Sequence, residues 1–371
     1  MPTDAVSQSG NPGRHPAAAR RILRLALGTT LCLLFSQLFA WPLSFIAPVL
    51  TLTILATPLP PLGFRKGVGA VIAMLAPMLI GGIVLLPFLE HMRAAGILLV
   101  ALGLFYTFYF TARGGAPVLG TFMTIGLTVI VTVGSVSPEL LMLLIQSLGI
   151  GAAVGIAFTW LAHALLPDLP PDPALAGMKK PPPPKPDPAQ AGRKALRSLV
   201  IVLPVAVTFL FMSGSPAFTV VMIKVATMGQ QASVDDSRQM GRSLLESTLW
   251  GGLGAIIAWN LMALWPSLVM YCLLVALAGL IYGRRIFAGP LVHPKFQTYS
   301  YAFLTMLVIL APAVLDGMGS SGAGGAFWSR LGLFILIAVY GTASVWVFDT
   351  LWPERAEMQG AALSGNPAAT A

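Results

Sequence analysis

Charge is the scarcest thing in this chain. Asp, Glu, Lys and Arg together supply 9% of its 371 residues, where an ordinary soluble domain carries about a quarter. Hydrophobic residues make up 56% and mean hydropathy is +0.83, which excludes a water-soluble fold. Catalytic equipment is equally thin. The four histidines, His15, His91, His163 and His293, lie far apart with no metal-ligand spacing such as HExxH. There is no Gly-x-Ser-x-Gly nucleophile turn and no Gly-x4-Gly-Lys-Ser/Thr phosphate loop, so acyl transfer and ATP hydrolysis have no visible basis. The expectation is a protein that is not an enzyme, with no cofactor and no metal. The two cysteines, Cys32 and Cys272, lack redox or metal spacing and read as small packing residues.

What the chain has instead is apolar length. Its hydrophobic runs have the roughly 17 to 25 residues an α-helix needs to cross a bilayer, and the alternation expected of a membrane β-barrel is missing. Residues 1–19 are polar and lack the apolar core of a signal peptide, so the first helix is expected to remain as an anchor. The formal charge is +9, which raises the question of nucleic acid. However, the Lys and Arg residues fall between apolar runs, and all but Arg93, Arg330 and Lys224 land on one side when the helices are threaded across. That is the positive-inside pattern. Basic flanks against anionic lipid account for the charge, and no nucleic-acid partner is expected.

The predicted fold is all-α: a polytopic membrane protein of two parallel six-helix repeats, about twelve transmembrane helices with ten to twelve allowed. Residues 1–19 form a cytoplasmic tail, 20–167 the first repeat, 168–192 a Pro- and Lys-rich cytoplasmic linker, 193–353 the second repeat and 354–371 a second cytoplasmic tail. The linker holds Pro181 to Pro184 in a row with Lys179, Lys180 and Lys185, a composition that stays extended and solvated. The repeat is read from echoes in a shared order. Arg193-Lys194-Ala195-Leu196-Arg197 follows Arg20-Arg21-Ile22-Leu23-Arg24, Phe218 follows Phe45, Gly251-Gly252 follows Gly81-Gly82, and Phe303-Leu304-Thr305 follows Phe122-Met123-Thr124. The second helix of each half is short or interrupted: Pro42 to Pro60 in the first, Pro216 to Gly229 in the second. Broken segments at matching places of two halves point to a transporter's binding site.

Lys224 lies inside the second of these. An ammonium at the bilayer centre costs about 2.5 to 3.5 kcal/mol on insertion scales, so its default reading is functional; a lysine paired to a buried carboxylate for structure is the alternative. It suits an anionic substrate, because a desolvated amine gives up its proton readily. Phe45 and Phe218, with Trp41 and Trp250, are candidates to stack on a planar ring, although Trp also gathers at membrane interfaces. Thr51, with Thr53 and Thr57, offers hydroxyls to substrate or to backbone freed by the prolines. Gln230 and Gln231 are placed at the inner mouth of a path to Lys224, with Asp235, Asp236 and Glu246 as gate or proton partners. A solvated loop with Asp235 or Asp236 capping the next helix is the plain alternative. Asp349, near the end of the last helix, reads as a terminal charge reaching for water.

The order Arg-rich start, Trp41-Pro42-Leu43-Ser44-Phe45-Ile46-Ala47-Pro48, basic turn Arg65-Lys66-Gly67 and Gly81-Gly82 resembles the fusaric acid resistance family of membrane proteins, which includes bacterial aromatic acid exporters. With its second copy the resemblance covers residues 20–353. It implies an inner-membrane efflux component for small aromatic carboxylates or related toxic organic anions, working with a periplasmic adaptor protein and an outer-membrane channel. A proton-driven exporter is the leading expectation and a passive organic-anion channel the alternative. Larger exporters of this kind carry a soluble region between halves, which the short linker here does not supply. Homo-oligomerisation is one way to complete such an assembly.

Overall fold

The computed structural model describes residues 16–41, 43–57, 63–134, 137–169, 187–211, 216–234, 240–287, 293, 295–315 and 323–352. Among them there are helices and no strands. In chain order these are α1 (Pro16–Phe39), α2 (Ile46–Leu55), α3 (Phe64–His91), α4 (Arg93–Ala112), α5 (Pro117–Val129), continued by a π-helical turn (Ile130–Gly134), and α6 (Pro138–Leu165). There follow α7 (Pro188–Phe211), α8 (Pro216–Val234), α9 (Met240–Leu264), α10 (Leu268–Ile286), α11 (Phe296–Leu315) and α12 (Ala323–Leu351). Helix is the form a bilayer permits, since no water is available there to take up backbone N–H and C=O groups. The starts are marked by sequence. Ser137 and Ser267 accept from the backbone N–H groups of Leu140 and Met270, and proline opens α5 and α6, where its missing N–H is not needed.

Nine of these helices, α1, α3, α4, α6, α7 and α9 to α12, are long and apolar enough to cross a membrane, and the protein is by that measure a multi-pass membrane protein. Their outer faces carry the large apolar side chains a bilayer would cover. Val269, Leu273, Leu277 and Ile281 form such a stripe on α10, with Tyr271, Val275, Ala278 and Tyr282 turned inward. α10 is therefore long enough to span.

The second expected helix is not. Among the described residues between Pro42 and Pro60, Ile46–Leu55 is helical, about 15 Å of rise against roughly 30 Å of hydrocarbon. The cause is its entrance. Ala40 and Leu43 take left-handed φ values of 45° and 55°, which side-chain-bearing residues adopt only in tight corners, and so α2 begins four residues later than a continuous span would. The second helix of the other half, α8, has 19 residues but is too polar to count among the nine. It runs through protein instead: Val221, Met222 and Lys224 to Gln230 are all buried. Beside it α11 is buried from Ala302 to Ala313, and these two helices form the centre of the molecule.

Packing links distant segments. α1 lies along α10 and α4 along α7. The first contact is tight because Gly279 and Gly283 face Ala26 and Ile22, where a Cβ on Gly279 would come within 2.8 Å of the Ala26 backbone. Both halves close their last helix onto their first through arginine. Arg20 donates to the Pro167 carbonyl, and Arg24 to the Leu166 carbonyl and to Asp168 at 2.9 Å. Arg193 donates to the Trp352 carbonyl and to Asp349 at 3.1 Å, and Arg197 pairs with Asp349 at 3.5 Å. Asp349 is thus held by two arginines, which corrects its reading as a charge reaching for water. The helix that carries the second arginine pair starts at Pro188, ahead of the boundary expected at 193.

Candidate functional site

Lys224 projects from the middle of α8 with 2% of its surface exposed. Its Nζ donates to the Thr305 hydroxyl of α11 at 2.7 Å, and Thr305 in turn donates to the Tyr301 carbonyl at 2.7 Å. None of the ion pairs among the described residues includes Lys224. A structural lysine paired to a buried carboxylate is therefore not what these residues display. Thr305 can come this close because α9 presents Gly251 to it: a Cβ there would lie 2.6 Å from the Thr305 Cβ and would press on the Ala302 carbonyl.

Six residues further along α8, about 9 Å of rise, a second polar contact faces the other way. Gln230 donates from its amide to the Thr124 hydroxyl of α5 at 2.5 Å, and Thr124 donates to the Gly120 carbonyl at 2.9 Å. Gly120 makes room, since a Cβ on it would lie 3.0 Å from the Gln230 amide oxygen. α8 is therefore held between two threonines, one on α5 and one on α11, each accepting from α8 and donating its own O–H to a carbonyl of its own helix. The end of α8 is fixed by Arg197, 5% exposed, which donates to the Ala232 carbonyl at 2.8 Å. A cation there satisfies a helix-terminal carbonyl and opposes the negative end of the helix dipole.

The other expected site residues are spread more widely. Phe45 is buried in the core at the start of α2. Thr51 donates to the Ala47 and Gly155 carbonyls, Thr53 to Val49 and Thr57 to Ile54. These hydroxyls serve backbone, the second of the two roles foreseen for them. Glu246 belongs to a rim cluster, bonded by Arg242 at 2.7 Å and Lys295 at 3.2 Å, so its carboxylate is taken up by surface cations. Trp250 is exposed on α9, while Trp41 packs edge-on to Phe35 at 6.3 Å. Phe218 and Gln231 fall on α8 with side chains outside the described residues, as Asp235 and Asp236 are altogether.

Thr305 and Thr124 were not among the residues picked out by sequence for a site, although both stand in the matched pair Phe303-Leu304-Thr305 and Phe122-Met123-Thr124. That echo was the available signal.

Comparison with known proteins adds one match. A family described only as a protein of unknown function, DUF2955, matches residues 21–162, from the start of α1 almost to the end of α6. No curated protein and no solved structure matches.

Proposed function

We propose that this protein is an inner-membrane exporter of small organic anions, aromatic carboxylates foremost, driven by the proton gradient, with Lys224 as the anion site. The observation that carries this reading is the buried ammonium facing a neutral hydroxyl, with no acidic partner among the described residues. A buried charge needs a counter-charge, and a transported anion supplies one only while it is bound. Thr305 then holds the ammonium in the empty state, and a carboxylate replaces or joins the hydroxyl in the loaded one.

Two further observations support two six-helix repeats around this site. The principal helix contacts persist when the first six helices are exchanged for the last six: α1 on α10 becomes α7 on α4, α3 on α5 becomes α9 on α11, α2 on α6 becomes α8 on α12, and α5 on α8 becomes α11 on α2. The family match of residues 21–162 also ends where the first repeat would. Under this exchange Phe45 corresponds to Phe218 and Thr51 to Lys224. The charge is then a feature of the second copy alone, and substrate binding is asymmetric within a symmetric frame. The resemblance to aromatic acid exporters favours the same cargo, with a periplasmic adaptor and an outer-membrane channel as partners.

The test is flux of radiolabelled benzoate into proteoliposomes holding the full chain, under an imposed pH gradient. Flux that follows the gradient and is lost in Lys224→Gln supports the proposal. Anion current indifferent to the gradient favours a passive channel, and no flux at all removes transport of this class.

A further inference from the structure

At the end of α1 remote from Arg20 and Arg24, the chain folds into a corner that leaves hydrogen-bonding atoms unpaired. Gln37 Nε2, Trp41 Nε1 and Ser44 Oγ are all buried and have no partner, and the buried Ser36 Oγ has only the weakly bonding Cys32 thiol beside it. They belong to one compact unit: the backbone N–H of Ala40 donates to Ser36, that of Ser44 to Trp41 and that of Ile46 to Leu43, at 3.1, 3.0 and 3.0 Å. The unit is held in a rarely adopted form by left-handed Ala40 and Leu43, a feature that concentrates at ligand sites. A fifth such atom stands on α10 at a neighbouring height. Gly279 meets Ala26 and Gly283 meets Ile22, so the helices run antiparallel and Tyr271 falls near the level of Leu34. Its hydroxyl is also buried and unpaired.

Native proteins leave few buried polar atoms unpaired, and a cluster of them calls for a missing partner. The chemistry of that partner follows from the atoms. An indole N–H can only donate, as can an amide nitrogen, and the three hydroxyls can all turn to donate. Residues 30–46 contain no charged side chain. An interfacial belt does not explain Trp41, because its ring nitrogen is covered by protein rather than presented to headgroups. The apolar wall is aromatic: Phe35 lies 4.5 Å from Phe39, 5.3 Å from Phe158 of α6 and 6.3 Å from Trp41 between ring centroids.

We infer that this corner is a second binding site, in which the unpaired donors receive the carboxylate of a small organic acid and the rings around Phe35 receive its apolar body. For the class of ligand the inference rests on the anion-transport reading; for its place it does not. Neutral donors hold an anion less firmly than an ammonium does, so this corner acts as a weaker station than Lys224, suited to release. Cys32 lies beside both Thr51 and Ser36, which places polar groups of α1 between the corner and the middle of α2.

The experiment is binding of 4-fluorobenzoate to the full chain in lipid nanodiscs, followed by fluorine NMR, with thermal midpoints recorded in parallel. In Lys224→Gln a saturable weak site is expected to remain. Adding Trp41→Phe and Gln37→Leu, which delete donors and strand no acceptor, should weaken it about tenfold, the value of one charge-assisted hydrogen bond. Without probe their midpoint should fall by no more than the smaller ring at position 41 explains. Residual binding indifferent to these substitutions, or no residual saturable binding in Lys224→Gln, would each overturn the corner site. Wild type and Lys224→Gln binding alike, with both losing the probe on Trp41→Phe and Gln37→Leu, would keep the corner and remove Lys224 as the anion site.

Discussion

The Lys224 amine and the Thr305 hydroxyl, 2.7 Å apart across α8 and α11, form a contact in which the hydroxyl offers no counter-charge to the amine. Replacing Lys224 with Met keeps all but the last atom of the side chain and removes the buried amine. Substituting apolar groups for buried charges is often neutral or stabilising, so Lys224→Met should unfold at the wild-type temperature or above it while benzoate flux falls at least tenfold. Thermal unfolding in detergent and proteoliposome flux, measured on the same preparation, check this. A large loss of stability would mean that the ammonium has a structural partner.

Gly251 and Gly81 are counterparts in sequence with different surroundings. A methyl at Gly251 meets Thr305 and the Ala302 backbone, whereas at Gly81 its nearest neighbour, at 2.7 Å, is the tip of Ile130, which can rotate away. Gly251→Ala should therefore destabilise by about 1–3 kcal/mol, the usual penalty of overpacking, and weaken anion binding by displacing Thr305. Gly81→Ala should be nearly silent. Chemical unfolding of the two variants side by side would show the difference.

Arg197 is buried between the Asp349 carboxylate and the end of α8, while Arg242 on the rim has 76% of its side chain exposed. Breaking a buried pair from one side costs about 3–5 kcal/mol, and Arg193 keeps part of the Asp349 interaction. Arg197→Gln should accordingly fall at the low end of that range, and Arg242→Gln should produce no measurable loss, as is usual for surface pairs. A double-mutant cycle of Arg197 with Asp349 isolates the shared part.

Pro266 and Arg284 bracket α10, whose 19 residues rise about 28 Å. Single cysteines introduced there, in a chain with Cys32 and Cys272 replaced by Ala, should react with an impermeant maleimide from opposite sides of the membrane. Labelling of both from one side would mean that α10 does not span, and would overturn the assignment of sides.

The helices were readable because apolar run length is a local property: the described residues are helical through the apolar runs, and nine of those helices are long enough to cross a membrane. The failures were non-local. α2 is short because of the corner at Ala40 to Leu43, whose left-handed backbone no propensity for Ala or Leu foretells. The partners of Glu246, Arg242 one turn before it and Lys295 from before α11, come from the fold as well as from the local sequence. Thr305 lies 81 positions from Lys224, and nothing short of the fold brings them together. Asp349 lies 156 positions from Arg193 and escaped for the same reason.

The crossing of α1 onto α10 and of α4 onto α7 means that each half of the chain covers part of its first helix with the other half. Such halves are clasped rather than merely tethered, and the connection between them serves to keep both in one polypeptide more than to position them. Cut at residue 178 and produced together as two polypeptides, they should recover one another in the membrane and co-purify, whereas either made alone would be left with an open groove and become a target for membrane proteolysis.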